Sequence, residues 1–82
     1  MQYDEARVVQ AVLAVLQLAA YKEGPLTVSW KNIDFEIMNR LHELGFIEDP
    51  RGKHKSIVFT DAGAEAARAA AASLFASPGT TS

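Results

Sequence analysis

The chain has 82 residues, a formal net charge of −2 and no cysteine, and these properties limit its classes of function. A chain of this length forms one domain that buries roughly 60% of its unfolded surface. We therefore expect a marginal core supplemented by oligomerisation, because no disulfide or thiolate metal site can form. An acidic charge balance gives no global attraction to nucleic acid or anionic lipid, and the absence of cysteine favours a cytoplasmic protein.

The first predicted element is a helix from Asp4 to Tyr21. Asp4 and Glu5 favour a helix amino terminus, residues 6–20 contain no Gly or Pro, and Gly24-Pro25 would end the helix. The apolar run within it is too short to span a bilayer, and no signal peptide precedes it, so we expect no membrane association. Two neighbouring apolar stripes exceed the single apolar face of a surface helix.

This apolar surplus has two explanations. The helix is either fully buried at the centre of a monomer or paired with a second copy across a two-fold axis. The small size and the lack of disulfides favour a homodimer. The candidate interface residues are Val9, Leu13 and Leu16 of this helix and Leu74 and Phe75 of the last helix.

The middle of the chain predicts a short strand, a stub of helix and a longer helix. Leu26-Thr27-Val28 is β-prone, and residues 30–32 fit the stub. Trp30 is interpreted as a core anchor rather than a binding contact. The longer helix covers Phe35 to Leu44, with its end set by an αL conformation at Gly45. Its inward stripe should be Ile33, Ile37, Leu41 and Leu44, leaving Phe35 and Met38 off that stripe.

A β-hairpin and a last helix complete the predicted fold. Phe46–Asp49 and Lys55–Thr60 are the strands, Pro50 to Lys53 is the turn, and Ile57 and Phe59 should face the core. Thr60 is the expected N-cap of a helix from Asp61 to about Ala76 that is rich in alanine and approaches its neighbour closely. The single domain then covers residues 1–76, followed by a flexible polar tail, 77–82.

Two segments resemble a known family. The run Arg40-Leu41-His42-Glu43-Leu44-Gly45-Phe46-Ile47-Glu48-Asp49-Pro50-Arg51-Gly52 and the junction Phe59-Thr60-Asp61-Ala62-Gly63 are similar to the second half of winged-helix domains of the MarR and PadR kind. The chain is also similar to small uncharacterised bacterial proteins of unknown function. The resemblance implies a mainly α, winged-helix-like fold: helix, short strand or stub helix, helix, β-hairpin wing and helix. It covers about half of the chain.

The winged-helix resemblance implies a dimeric regulator of transcription bound to double-stranded DNA. The segment 34–44 then occupies the recognition-helix position, and a basic wing tip would contact phosphates. The candidate nucleic-acid-binding residues are Arg51, Lys53, His54 and Lys55 in the wing, Arg40 and Asn39 in the helix, and Lys31 before it. The alternative for the wing is an ordinary solvated turn. Glu36 and Glu43 beside the helical candidates would repel a DNA backbone.

A second hypothesis is a protein-interaction module, such as an inhibitor or adaptor, that keeps the scaffold without reading DNA. It is favoured by the acidic charge and by the room for only a stub of the first helix of a helix-turn-helix. His42 and His54 have no metal-ligand spacing, and no nucleophile-base pattern or phosphate loop is visible. We therefore expect no enzymatic activity, no catalytic or metal site, and no cofactor.

Overall fold

The computed structural model describes residues 2–30, 35–51 and 56–77, and gives only the backbone of Trp30 and Phe35. The fold is mainly helical with a small antiparallel sheet, as the sequence predicted. Its elements in chain order are α1 (Glu5–Leu18), β1 (Tyr21–Glu23), β2 (Leu26–Trp30), α2 (Phe35–Glu43), β3 (Ser56–Val58) and α3 (Asp61–Phe75). No helix in these ranges is both long and apolar enough to cross a membrane.

Helix α1 ends three residues earlier than predicted. Asp4 is its N-cap, with the carboxylate accepting hydrogen bonds from the backbone amides of Ala6 and Arg7. The predicted last turn instead becomes β1, which pairs antiparallel with β2, with Tyr21 opposite Val28. A β-hairpin therefore stands between α1 and the next described helix. The prediction of a stub helix at residues 30–32 was wrong for Trp30, which lies in β2. The other two residues of that stub, Lys31 and Asn32, lie outside the described ranges.

Helix α2 has the predicted position but a different inward face. Met38 and Leu41 are fully buried and Ile37 is half-buried, whereas Leu44 is 40% exposed. The inward assignment of Leu44 was wrong because the helix ends at Glu43 and the chain then turns away. Gly45 has φ of 82°, as predicted, which lets the amide of Phe46 bond the carbonyl of Leu41 at 3.0 Å.

The predicted wing hairpin is present at its base. The strand predicted at Phe46–Asp49 is reduced to a bridge between Ile47 and Phe59, with the Glu48 amide donating to the Val58 carbonyl at 2.9 Å. Strand β3 pairs with β2, so the sheet order is β1-β2-β3. Ile57 and Phe59 are buried, as predicted. Residues 52–55, which include the second half of the predicted turn, lie outside the described ranges.

Helix α3 packs against α1 across small residues. Thr60 is its N-cap, as predicted, because its hydroxyl accepts from the Gly63 amide at 2.9 Å while donating to the Gly45 carbonyl at 2.6 Å. Gly63 lies against the backbone of Phe46, where a Cβ would stand 1.7 Å from the carbonyl oxygen. Ala67 and Ala70 are buried in the core with Leu13 and Leu16 of α1. These alanines bring α1 and α3 close together, as expected for a helix of small side chains.

One buried hydrogen bond joins the sheet to α1. Ser29 is fully buried in β2, and its hydroxyl donates to the Leu16 carbonyl at 2.8 Å. The bond satisfies the only buried polar residue of the described core and fixes the hairpin against the last turn of α1.

Candidate interaction surface

The described candidates for nucleic-acid binding on α2 are engaged with carboxylates. The guanidinium of Arg40 donates to Glu5 of α1 through Nε and to Glu43 Oε2 through Nη1, the latter at 3.2 Å. Its hydrogen bond with Glu5 raises the pKa of Arg40 above its usual value. The side-chain amide of Asn39 donates to Glu43 Oε1 at 3.2 Å. Arg40 therefore belongs to an ion-pair cluster that we call the Arg40 cluster (Glu5, Arg40 and Glu43), and Asn39 is hydrogen-bonded to its Glu43.

Arg51, the described nucleic-acid candidate from the predicted wing, is also paired with a carboxylate. Its Nε and Nη2 bond the two carboxylate oxygens of Asp49 at 3.1 Å each, and its backbone amide bonds Asp49 Oδ1 at 2.9 Å. These bonds lower the pKa of Asp49 to about 2, chiefly through the Arg51 side chain. Arg51 and Arg40 thus belong to separate ion pairs. The other nucleic-acid candidates, Lys31, Lys53, His54 and Lys55, lie outside the described ranges.

The candidate dimer-interface residues are divided between the core and the surface. Leu13 and Leu16 are 3% and 2% exposed, so their assignment to an interface is corrected: they pack inside the protein against α3. Val9 is half-buried. Leu74 and Phe75 are each 47% exposed near the carboxyl end of α3. Only Val9, Leu74 and Phe75 of this set retain surface for a partner.

An apolar groove of about 680 Å³ opens where α1, α2 and α3 meet. Its walls on α1 and α3 are formed by Ala6, Val9 and Leu13 and by Ala66, Ala69, Ala70 and Ser73. Leu44 and Phe46 close it on the third side. Because Leu13 and Ala70 are also core residues, the groove is a side of the hydrophobic core that the described chain leaves open. The sequence analysis did not predict this groove. The features that could have indicated it are the apolar stripe of α1 that contains Val9 and the small side chains of α3, which leave space between the two helices.

The groove is charged at one end only. Glu5 and Arg40 stand at its mouth, and the remaining lining is uncharged. With Glu43, which bonds Arg40, the Arg40 cluster sums to a formal charge of −1. An occupant with an apolar stripe and a cation beside one end of it would match this distribution.

A second apolar surface lies on the opposite side of α1. We call it the outer stripe: Arg7, Ala11, Val15 and Leu18. These residues follow one another at i, i+4, i+8 and i+11 and therefore share one face of the helix. Val15 is 51% exposed and Leu18 is 69% exposed, while Arg7 is the only charged member. A solvent-facing stripe normally carries several charges, so this one is unusually apolar.

Comparison with known proteins places the chain in a family. Residues 4–77 match the family model described as "Domain of unknown function (DUF6429)". The chain belongs to this family. A relative of the DUF6429 domain, "Uncharacterized protein y4hR" of Sinorhizobium fredii (strain NBRC 101917 / NGR234), is 44% identical over 63 residues, covering 77% of this chain and 81% of the relative.

These matches confirm the predicted similarity to small bacterial proteins of unknown function. They do not bear on the MarR and PadR resemblance. No solved structure matches the chain. Among the residues 2–30, 35–51 and 56–77, no three His, Cys, Asp or Glu side chains are grouped so that they could hold a metal ion.

Proposed function

We propose that this DUF6429 domain is a non-enzymatic protein-interaction module. Its groove binds an amphipathic helix of a protein partner that carries a basic residue beside its apolar stripe. The observation that carries the proposal is the groove itself, a side of the core lined by Val9, Ala69 and Phe46 that nothing in the described chain covers. Burying exposed apolar surface of this kind is a main driving force of protein association.

The groove dimensions support a helical occupant. Its α1 wall runs from Ala6 to Leu13 and its α3 wall from Ala66 to Ser73. Each wall spans eight residues, with about 10 Å between the first and the last at the rise of an α-helix, which accommodates two turns of a bound helix. The alanines of the α3 wall are small, so the backbone of an incoming helix can approach closely. This is the helix-in-groove form of recognition, in which i, i+3 and i+4 side chains anchor the ligand.

Electrostatics support a protein partner more than a polyanion. The described basic candidates Arg40 and Arg51 both face carboxylates, and Glu43 leaves the Arg40 cluster with net negative charge. A nucleic-acid backbone brought to this end of the groove would meet like charge, whereas a lysine or arginine of a protein helix would meet opposite charge.

Site-specific photo-crosslinking tests the proposal. A photo-crosslinking amino acid is introduced at Ala69, which is exposed on the groove wall, and in a matched variant at Ala72, which is exposed on the same helix but outside the groove. We expect a covalent adduct with a polypeptide from position 69 in the expressing cells, and its loss when Val9→Arg places a charge in the groove. Equal adducts from both positions, or none from position 69, would overturn the proposal.

A winged-helix DNA-associated dimer is the second candidate. It is favoured by the three cations within residues 51–55 and by the Ile47–Phe59 bridge, which joins the chain on either side of that segment. Three phosphate contacts per subunit predict a slope of about −3 per subunit, about doubled in the dimer, in a plot of log affinity against log salt. Titration of duplex DNA at low and moderate salt measures it. No binding at low salt, or a slope unchanged by Arg51→Ala with Lys53→Ala, would exclude this candidate.

A further inference from the structure

We infer that the occupant of the groove is the outer stripe of a second copy of this chain, so that copies associate head to tail. This inference rests on the proposed function, because it names the partner of the same groove. It depends on three observations: the matching charge patterns of the two surfaces, their matching lengths, and their positions on opposite sides of α1.

The charge patterns are complementary. The groove has an acidic end at the Arg40 cluster, where Glu5 and Glu43 together outweigh the single cation Arg40, and the rest of its lining is formally neutral. The outer stripe begins with the cation Arg7 and continues through Ala11, Val15 and Leu18 without charge. Arg7 is 87% exposed, and its contact with Asp4 is 3.8 Å long, a surface pair of the kind that contributes little and leaves the guanidinium available.

The lengths also agree. The apolar part of the outer stripe runs from Ala11 to Leu18, which is eight residues, with about 10 Å of helix between the first and the last. The groove walls have the same span. Placing Arg7 of one copy beside the acidic end of the groove on another copy therefore sets Val15 and Leu18 along the apolar walls. Wall residues such as Ala69 are small enough to admit them.

The positions of the two surfaces determine the type of assembly. Val9 and Leu13 face the groove, while Ala11 and Val15 lie two residues further along α1, about 200° around the helix. One copy can therefore offer its outer stripe while its own groove accepts another copy. Such a contact joins two different surfaces and is heterologous, so it extends beyond two copies unless the rotation between them closes a ring.

The contact area predicts weak association. Two surfaces each about 10 Å long bury less than the roughly 1,200 Å² of standard interfaces, which places the contact among weak and transient ones. Sedimentation velocity is therefore run over protein concentrations from about 10 µM to about 1 mM, the range in which dissociation constants of weak complexes are resolved. We expect the sedimentation coefficient of the unmodified chain to rise with concentration.

Four single variants test whether the groove and the outer stripe are the two surfaces that form the contact. Ala69→Arg blocks the groove, and Leu18→Lys places a charge in the outer stripe. Ala72→Arg and Ala19→Lys are the matched controls, because both sites are exposed and lie outside these surfaces. We expect each blocking variant to weaken association at least about tenfold, the effect of losing an interface anchor, and each control to leave it unchanged. Circular dichroism verifies that all four variants are folded.

Mixing the two blocking variants gives the decisive result. The Leu18→Lys variant keeps an intact groove, and the Ala69→Arg variant keeps an intact outer stripe. Neither should associate alone, but their mixture should form a discrete 1:1 dimer with an affinity close to that of one unmodified contact. A two-fold symmetric dimer would not be restored in this way.

The inference is overturned if the unmodified chain stays monomeric up to about 1 mM or if the mixture associates no better than its components. It is also overturned if Leu18→Lys associates as well as the unmodified chain. The proposed function is judged separately by the crosslink at position 69. A groove-dependent adduct with a different protein, together with a monomeric chain in the centrifuge, would retain the module and reject the second copy as its partner.

Discussion

Replacing Gly63 with alanine should destabilise the fold although alanine is the better helix former. Gly63 lies in the first turn of α3, where an added Cβ would stand 1.7 Å from the carbonyl oxygen of Phe46, 2.5 Å from its carbon and 2.8 Å from its Cα. Real Cβ contacts essentially never fall below 3.0 Å, so the oxygen must move by about 1.3 Å, the difference between 3.0 and 1.7 Å. All three neighbouring atoms are backbone, and no rotamer change can relieve the contact.

The magnitude follows from three contributions. Overpacking of this kind costs about 1–3 kcal/mol. Moving the Phe46 carbonyl also weakens the 3.0 Å hydrogen bond that it accepts from the Thr60 amide, which adds about 1 kcal/mol. Alanine offsets about 1 kcal/mol of this through its helix propensity. We therefore expect Gly63→Ala to lower the free energy of unfolding by about 1–3 kcal/mol.

Urea denaturation followed by circular dichroism at the helix band measures this change. The midpoint should fall at an unchanged slope, because the surface exposed on unfolding is the same. Ala62→Gly at the adjacent exposed position is the control for helix propensity alone, with an expected loss of up to about 1 kcal/mol. A Gly63→Ala protein as stable as the unmodified chain, or more stable, would refute the close packing of α3 on Phe46.

Three further perturbations test other contacts of the fold. Thr60→Val should cost about 1–2 kcal/mol, because it removes the cap of α3 and the hydrogen bond to the Gly45 carbonyl, and Thr60→Ser should restore most of this in the same urea assay. Ser29→Ala should cost about 1 kcal/mol and speed hydrogen exchange of the β1–β2 hairpin amides; exchange unchanged there would contradict the link to α1. Asp49 should titrate near pH 2 by carboxyl NMR and return towards 3.8 in Arg51→Gln. Because its folded pKa lies below the unfolded value, the stabilisation from this pair is present above about pH 4 and is lost as the pH falls towards 2. A titration unchanged by the substitution would refute the pairing.

The parts of the fold that the sequence predicted correctly have strong local determinants. The end of α2 depends on Gly45, whose positive φ few other residues adopt readily, and the start of α3 depends on the hydroxyl of Thr60. Alternation of Ile57 and Phe59 correctly placed their side chains in the core. In each case a few adjacent residues determine the conformation.

The wrong predictions concern residues whose conformation or burial depends on contacts with distant parts of the chain. Residues 19–21 contain no helix breaker and were assigned to α1, but Tyr21 pairs with Val28 across the hairpin and is removed from the helix by that pairing. Leu44 fitted the inward stripe of α2, but the helix ends before it, at Glu43, and Leu44 is 40% exposed, whereas Met38, outside that stripe, is fully buried. A helical stripe gives the spacing of inward residues but not where the neighbouring elements end.

The candidate site was harder to predict for a related reason. The sequence shows that Arg40 and Arg51 are cations, but it does not show which carboxylates they contact. One partner of Arg40, Glu5, lies 35 positions away, and no local pattern indicates this pairing. The groove is likewise formed by three helices from separate parts of the chain. Val9 and Leu13 looked equivalent on one stripe, yet Leu13 is buried in the core and Val9 is only half-buried beside the groove.

The alanine wall of the groove implies that this protein forgoes stability that simple substitutions could supply. A leucine in place of Ala66 or Ala69 would fill the open side of the core and bury on the order of 100 Å² more apolar surface, worth about 2–3 kcal/mol. Natural proteins commonly keep such destabilised features where activity requires them. A screen for thermal stability would therefore select these positions first, and the variants that it selected would have closed the groove that we propose as the binding surface.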